Sequence, residues 1–196
     1  LLCVRSALAT DRIEPEIVLY GFEPFGPFEV NPTGDLVAHL AQGHPERTGA
    51  VLPVAPADAL GALYHLMGSR PQVILGFGVK ADIKVLEVNT TATNWMAMRS
   101  EAAEPFFGAI EPGLPAAIQP QQSWVTQALS RLKASGVPHE VNPDAGLHAC
   151  NLTFFQALVH APLGTRVLFL HVPPDVLTRP GYVDTLKAVV ATLVRP

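Results

Sequence analysis

Two hydrophobic periods alternate along the chain. Short apolar runs recur as EIVLYGF (16–22), GAVLPV (49–54), QVILGFG (72–78) and RVLFLHVP (166–173). Their length and their glycine or proline endings predict buried strands. Between them, apolar residues fall at helical spacing. TGDLVAHLAQG (33–43) sets Leu36, Val37 and Leu40 on one face, with Thr33 as cap and Gly43 at the end. ADALGALYHLMG (57–68), SWVTQALSRLKASG (123–136), LHACNLTFFQALVHA (147–161) and YVDTLKAVVATLV (182–194) predict four more helices. IKVLEVNT (83–90) predicts an irregular strand, and HEVNP (139–143) a weak one. Between Ala102 and Pro120 the pattern lapses. The prolines and glycines of AAEPFFGAIEPGLPAAIQP argue against regular structure, and its length predicts a lid, a binding loop or a disordered insert.

Strand–helix alternation of this kind predicts an α/β fold: three layers, α/β/α, around a largely parallel, mixed central sheet. Residues 16–196 are expected to form a single domain, with a Pro/Gly-rich loop at about 99–120. Residues 1–15 are expected to be a frayed N-terminal extension. In such sheets, sites gather where strands end and loops begin. Cys150, His171 and the GFEPFG loop (21–26) fall at such ends.

Composition narrows the function classes. The chain has 196 residues, 48% hydrophobic and 15% charged, too apolar for disorder. Its net charge is −4 and its Lys and Arg are scattered, so the basic footprint of a nucleic-acid binder is missing. No apolar run approaches the ~18 residues of a membrane span. Two cysteines, Cys3 and Cys150, cannot build a disulfide framework, and a reducing cytoplasm is the expected setting. Neither G-x-G-x-x-G nor G-x-x-x-x-G-K-[ST] occurs, and no metal-ligand spacing does, so no cofactor or metal is expected.

Thiol catalysis needs a thiol that loses its proton, a base that takes it and a group that holds the base. Cys150 is the credible thiol. A place in the first turn of a helix would favour its thiolate, although free cysteine is also among the residues most often buried for packing alone. Among seven histidines, His171 ends the clearest strand and is held by the following VPP; a structural hydrogen bond is the competing explanation. Glu87 lies in an apolar stretch, where a charge needs a partner unless it faces water. GFEPFGPFEVNPTG (21–34) gathers Phe22, Phe25 and Phe28 in a loop, where aromatics cover core or grip a ligand.

Three of these stretches carry a family resemblance. YGFEPFGPFEVNP (20–32) resembles the N-terminal signature of the pyroglutamyl peptidase I (pyrrolidone carboxyl peptidase) family. DAGLHACN (144–151) resembles that family's cysteine motif, and FLHVP (169–173) its histidine motif. LGFGVKADIKVLE (75–87) places a glutamate where the family has its catalytic carboxylate. The resemblance implies a cysteine peptidase that hydrolyses the amide after an N-terminal pyroglutamyl residue. It implies Cys150 as nucleophile, His171 as base and then acid, and Glu87 as the group that orients His171. It further implies Arg99 near the oxyanion and Phe22 and Phe25 around the pyroglutamate ring. Phe77, standing where a glutamine is common, joins the implied substrate set. Family members often assemble as tetramers, so a homo-oligomer is implied too.

The departures lie around the substrate loop. The interval from Glu87 to Asn94 is about two residues longer than in the family, and SEAAEP follows Arg99 where Pro-Asp-Asn is usual. Residues from about Arg99 to Pro120 are expected to form a lid. Two alternatives stay open: a non-catalytic relative that binds blocked peptide N-termini, and an unrelated α/β enzyme using Cys150 differently.

Overall fold

The computed structural model describes residues 16–26, 29–100 and 103–193, without the side chains of 99, 100 and 103–105. The predicted extension 1–15 and Phe28 therefore lie outside the described residues. In chain order the elements are β1 (Ile17–Phe22), α1 (Pro32–Ala41), β2 (Arg47–Leu52), α2 (Pro56–Met67), β3 (Val73–Val79), β4 (Leu86–Asn89) and β5 (Ala92–Thr93). There follow β6 (Met96–Ser100), β7 (Ala103–Gly108), β8 (Ala117–Ile118), α3 (Gln122–Ala134), β9 (His139–Asn142), α4 (Ala149–His160), β10 (Arg166–Val172) and α5 (Tyr182–Leu193).

The central sheet has six strands in the order β2-β1-β3-β10-β4-β9. β2, β1, β3 and β10 run parallel to one another; β4 pairs antiparallel with β10 and β9 parallel with β4. All residues of β1 and β3 are buried, as expected of strands covered on both faces. One face packs against α1, α3 and α5 through Leu36, Leu40, Trp124, Leu132, Leu186 and Val190. The other packs against α2 and α4 through Leu63, Met67, Phe154 and Phe155. This is the expected three-layer α/β/α domain with a mixed, mostly parallel sheet.

Two local readings differ. The first helix is capped by Asn31 rather than Thr33. Asn31 Oδ1 accepts from the Thr33 amide at 3.1 Å and its hydroxyl at 2.8 Å, while Thr33 Oγ1 accepts from the Phe22 amide at 2.9 Å. Pro32 then occupies the first helical turn, where its missing N–H costs nothing. The stretch after Ala102 is not wholly irregular: β7 pairs with β6 as a hairpin and β8 pairs with β5. Asn94 pins the return between them. Its Nδ2 donates to the Glu111 and Leu114 carbonyls at 2.8 and 3.2 Å, and its Oδ1 accepts from the Glu111 amide at 2.8 Å. Proline and glycine density cannot reveal such side-chain tethers.

Gly76 sits where the sheet carries its largest side chains. A Cβ there would lie 2.4 Å from the Tyr20 ring and 2.5 Å from that of Phe169, both fully buried. Gly76→Ala is therefore expected to destabilise the fold by about 1–3 kcal/mol through overpacking. Urea unfolding monitored by circular dichroism checks this.

Candidate active site

The ends of three strands and one helix meet on the α2/α4 side of the sheet. His171, near the end of β10, lies opposite Gly78 of β3 on one side and Glu87 of β4 on the other. Directly paired residues project to the same face, and residues two apart on a strand do as well. Phe169, His171, Glu87 and Asn89 therefore share a face. Phe169 and His171 touch edge to face at 5.2 Å between ring centroids.

Cys150 enters from above, as the second residue of α4. Gly78 makes the meeting possible. A Cβ at that position would lie 2.8 Å from Cys150 Sγ, 2.9 Å from His171 Cδ2 and 3.1 Å from His171 Nε2. Thiol and imidazole Nε2 thus converge over a residue of β3 that offers no side chain. Asn151, next in the chain, fastens this helix end to the segment after β4. Its Oδ1 accepts from the Thr93 amide at 2.8 Å, and its Nδ2 donates to the Thr93 and Trp95 carbonyls, each at 2.9 Å.

Burial dominates the electrostatics. It pushes the Cys150 thiol from 9.0 up to about 12, against the opposing pull of the residue's own backbone amide. The helix N-terminus, expected to favour the thiolate, is thus outweighed by desolvation. Burial likewise lowers His171 from 6.5 to about 4; Glu87, Asp144 and Asp82 pull it up and Lys80 pushes it down. The resting pair is a neutral thiol beside a neutral imidazole. Cys150 nevertheless keeps partial exposure, which a nucleophile requires.

The predicted residues are distributed as follows. Cys150 and His171 are brought together. Glu87 lies on the right face, but its carboxylate is turned to Lys80 Nζ, at 3.0 and 3.1 Å, and accepts from Asn142 Nδ2 at 3.0 Å. The group on His171 Nδ1 is instead Asn89 Oδ1, at 2.8 Å. Phe22 is buried in the floor of the site, packed on Tyr20 and Phe169 at centroid distances of 5.9 and 6.4 Å. Phe25 is half-buried in the loop after β1. Arg99 lies on β6, with its side chain outside the described residues. Phe77 is a correction: it is fully buried on the opposite face of the sheet, in the α3/α5 core, so it does not line this site. It pairs with Leu170, and strand alternation sends both away from His171.

Asn89, Gly78 and Asn151 were missed as site residues. The signal for Asn89 was the two-residue excess between Glu87 and Asn94; for Asn151 it was the Cys-Asn pair itself. Among the described residues, no three or more His, Cys, Asp or Glu converge as a metal site.

Known proteins resemble the chain along most of its length. The family model for pyroglutamyl peptidase matches residues 15–179. A pyrrolidone-carboxylate peptidase of Gloeobacter violaceus is 29% identical over 169 residues, covering 80% of each chain. One from Cupriavidus necator is 30% identical over 204 residues, covering 90% of this chain and 91% of its own. The crystal structure of a pyrrolidone carboxyl peptidase from Thermus thermophilus superposes with a TM-score of 0.75 at 31% identity, covering 89% of this chain and 96% of that one.

The depressed His171 pKa has a consequence for stability. The unfolded chain takes up this proton near pH 6.5, whereas the folded chain resists it until about 4. The stability gained from a neutral His171 is complete above the unfolded pKa and is lost as pH falls through that window. Melting temperature is expected to drop across it, and to drop less in His171→Gln. Paired thermal melts at stepped pH check the difference.

Proposed function

The chain belongs to the pyroglutamyl peptidase family, and from that premise we propose that it is a cysteine peptidase that removes N-terminal pyroglutamyl residues from peptides and proteins. The observation that carries this reading is the convergence of Cys150 Sγ and His171 Nε2 over Gly78.

His171 Nε2 takes the Cys150 proton as the sulfur attacks the pyroglutamyl carbonyl. Forming the ion pair only in contact with substrate suits a site whose burial disfavours both charges at rest. Free amides of the first turn of α4 face the developing oxyanion; donors of this kind are worth about 3–4 kcal/mol each. His171 then returns the proton to the leaving amine. Water, activated by the same imidazole, releases pyroglutamate from the sulfur.

Substrate selection follows from what the site offers. Pyroglutamate is a neutral lactam with no free α-amine. By the family resemblance, we assign Phe22 and Phe25 to its flat ring and Arg99 to the oxyanion. A buried lactam also needs a donor and an acceptor, or the pocket would reject it. No helix among the described residues is long and apolar enough to cross a membrane. A catalytic thiol fits a reducing compartment, and we place the enzyme in the cytoplasm.

A pyroglutamyl-coupled fluorophore is expected to be cleaved, and prior alkylation of Cys150 to stop cleavage. Cys150→Ala is expected to lower kcat by about 10³-fold or more while leaving the circular dichroism spectrum unchanged. Wild-type turnover in that variant, or no release by the wild type, would end the reading.

A further inference from the structure

We infer that Asn89, not a carboxylate, is the positioning residue for His171, and that its carboxamide fixes which imidazole nitrogen carries the proton. The inference deepens the peptidase reading and rests on it for the catalytic consequence, though not for the tautomer.

Donors and acceptors fix the orientation of this amide. Asn89 is completely buried, and its amide has one oxygen and one nitrogen to place. Its nitrogen lies 2.8 Å from the backbone carbonyl of Asp144, a group that can only accept. The NH₂ must therefore face Asp144, and Oδ1 must face His171 Nδ1, at 2.8 Å. An amide oxygen cannot donate, so Nδ1 carries the hydrogen. In a neutral ring the lone pair is then left on Nε2, the nitrogen that lies with Cys150 Sγ over Gly78. The Asp144 carbonyl thus selects the tautomer competent to act as base, through one amide side chain.

The Asp144 carbonyl is itself held. The Asp144 amide donates to Asn142 Oδ1 at 2.9 Å, and Asn142 Nδ2 donates to Glu87 Oε2 at 3.0 Å. Glu87, paired with Lys80, therefore acts at the far end of the chain Glu87–Asn142–Asp144–Asn89–His171. It supports the loop: its carboxylate is bonded to Lys80 and Asn142, while the imidazole Nδ1 is bonded to Asn89. An asparagine at this place is chemically sufficient, since Cys-His-Asn sites occur in cysteine peptidases of other folds.

The test uses the full chain with ¹⁵N-labelled histidine. In the wild type, His171 is expected to be protonated on Nδ1 and bare on Nε2; the reverse would overturn the inference without any variant. Asn89→Ala is expected to shift the His171 tautomer ratio toward Nε2–H and to lower kcat by about 10²-fold or more, with KM within about 3-fold. Glu87→Gln, which keeps an acceptor for Asn142, is expected to leave the His171 tautomer unchanged. An unchanged tautomer and kcat in folded Asn89→Ala, or a tautomer shift in Glu87→Gln as large as in Asn89→Ala, would assign the role elsewhere. If the wild type fails to cleave the pyroglutamyl fluorophore, the peptidase reading falls while the spectra still decide the role of Asn89.

Discussion

The site depends on the reversal of one strand. β4 lies antiparallel on β10, so that Asn89, Val88 and Glu87 pair with Phe169, Leu170 and His171. This short register sets two polar side chains of β4 beside the imidazole on an otherwise apolar face. It also sends Val88 and Leu170 into the opposite core, which makes the register hard to slip. β9, parallel to β4, then supplies Asn142, and the turn after it supplies the Asp144 carbonyl. Every group that orients His171 Nδ1 thus enters through β4 or its neighbour, while Cys150 arrives independently on α4.

The packing behind the site serves chemistry as well as stability. Phe22, Phe154 and Phe169 form an aromatic floor, with Phe154 and Phe169 tilted at 5.8 Å. That floor excludes water from one side of the imidazole. The same dryness holds His171 and Cys150 neutral and makes hydrogen bonds to Nδ1 count for more than they would in water. The nearest charge is paired: Glu87, directly opposite His171 on β4, turns its carboxylate to Lys80, which remains part-exposed. A neutral amide on the imidazole is consistent with a site that avoids resting charge.

Much of this was legible in the chain. EIVLYGF, QVILGFG and RVLFLHVP are strands because long apolar runs bounded by breakers have no better way to be buried, and the structure places β1, β3 and β10 there. The cysteine at a helix start and the histidine at a strand end were also visible. The hairpin of β6 and β7 was not, because Pro105 sits in a two-stranded edge where its missing donor is tolerated. Phe77 was misassigned because position relative to a family motif carries no information about which face a strand residue occupies.

Glu87 and Asn89 mark the boundary between sequence and fold. Local pattern determined the elements, the burial of β4 and the need of a polar group there for a partner, since these follow from periodicity and desolvation. Which polar group meets His171 was decided only by tertiary structure. A strand repeats every two residues, so both side chains lie on the same face and are equivalent to any pattern argument. Pairing to β10, and the lone acceptor offered by the Asp144 carbonyl, distinguish them.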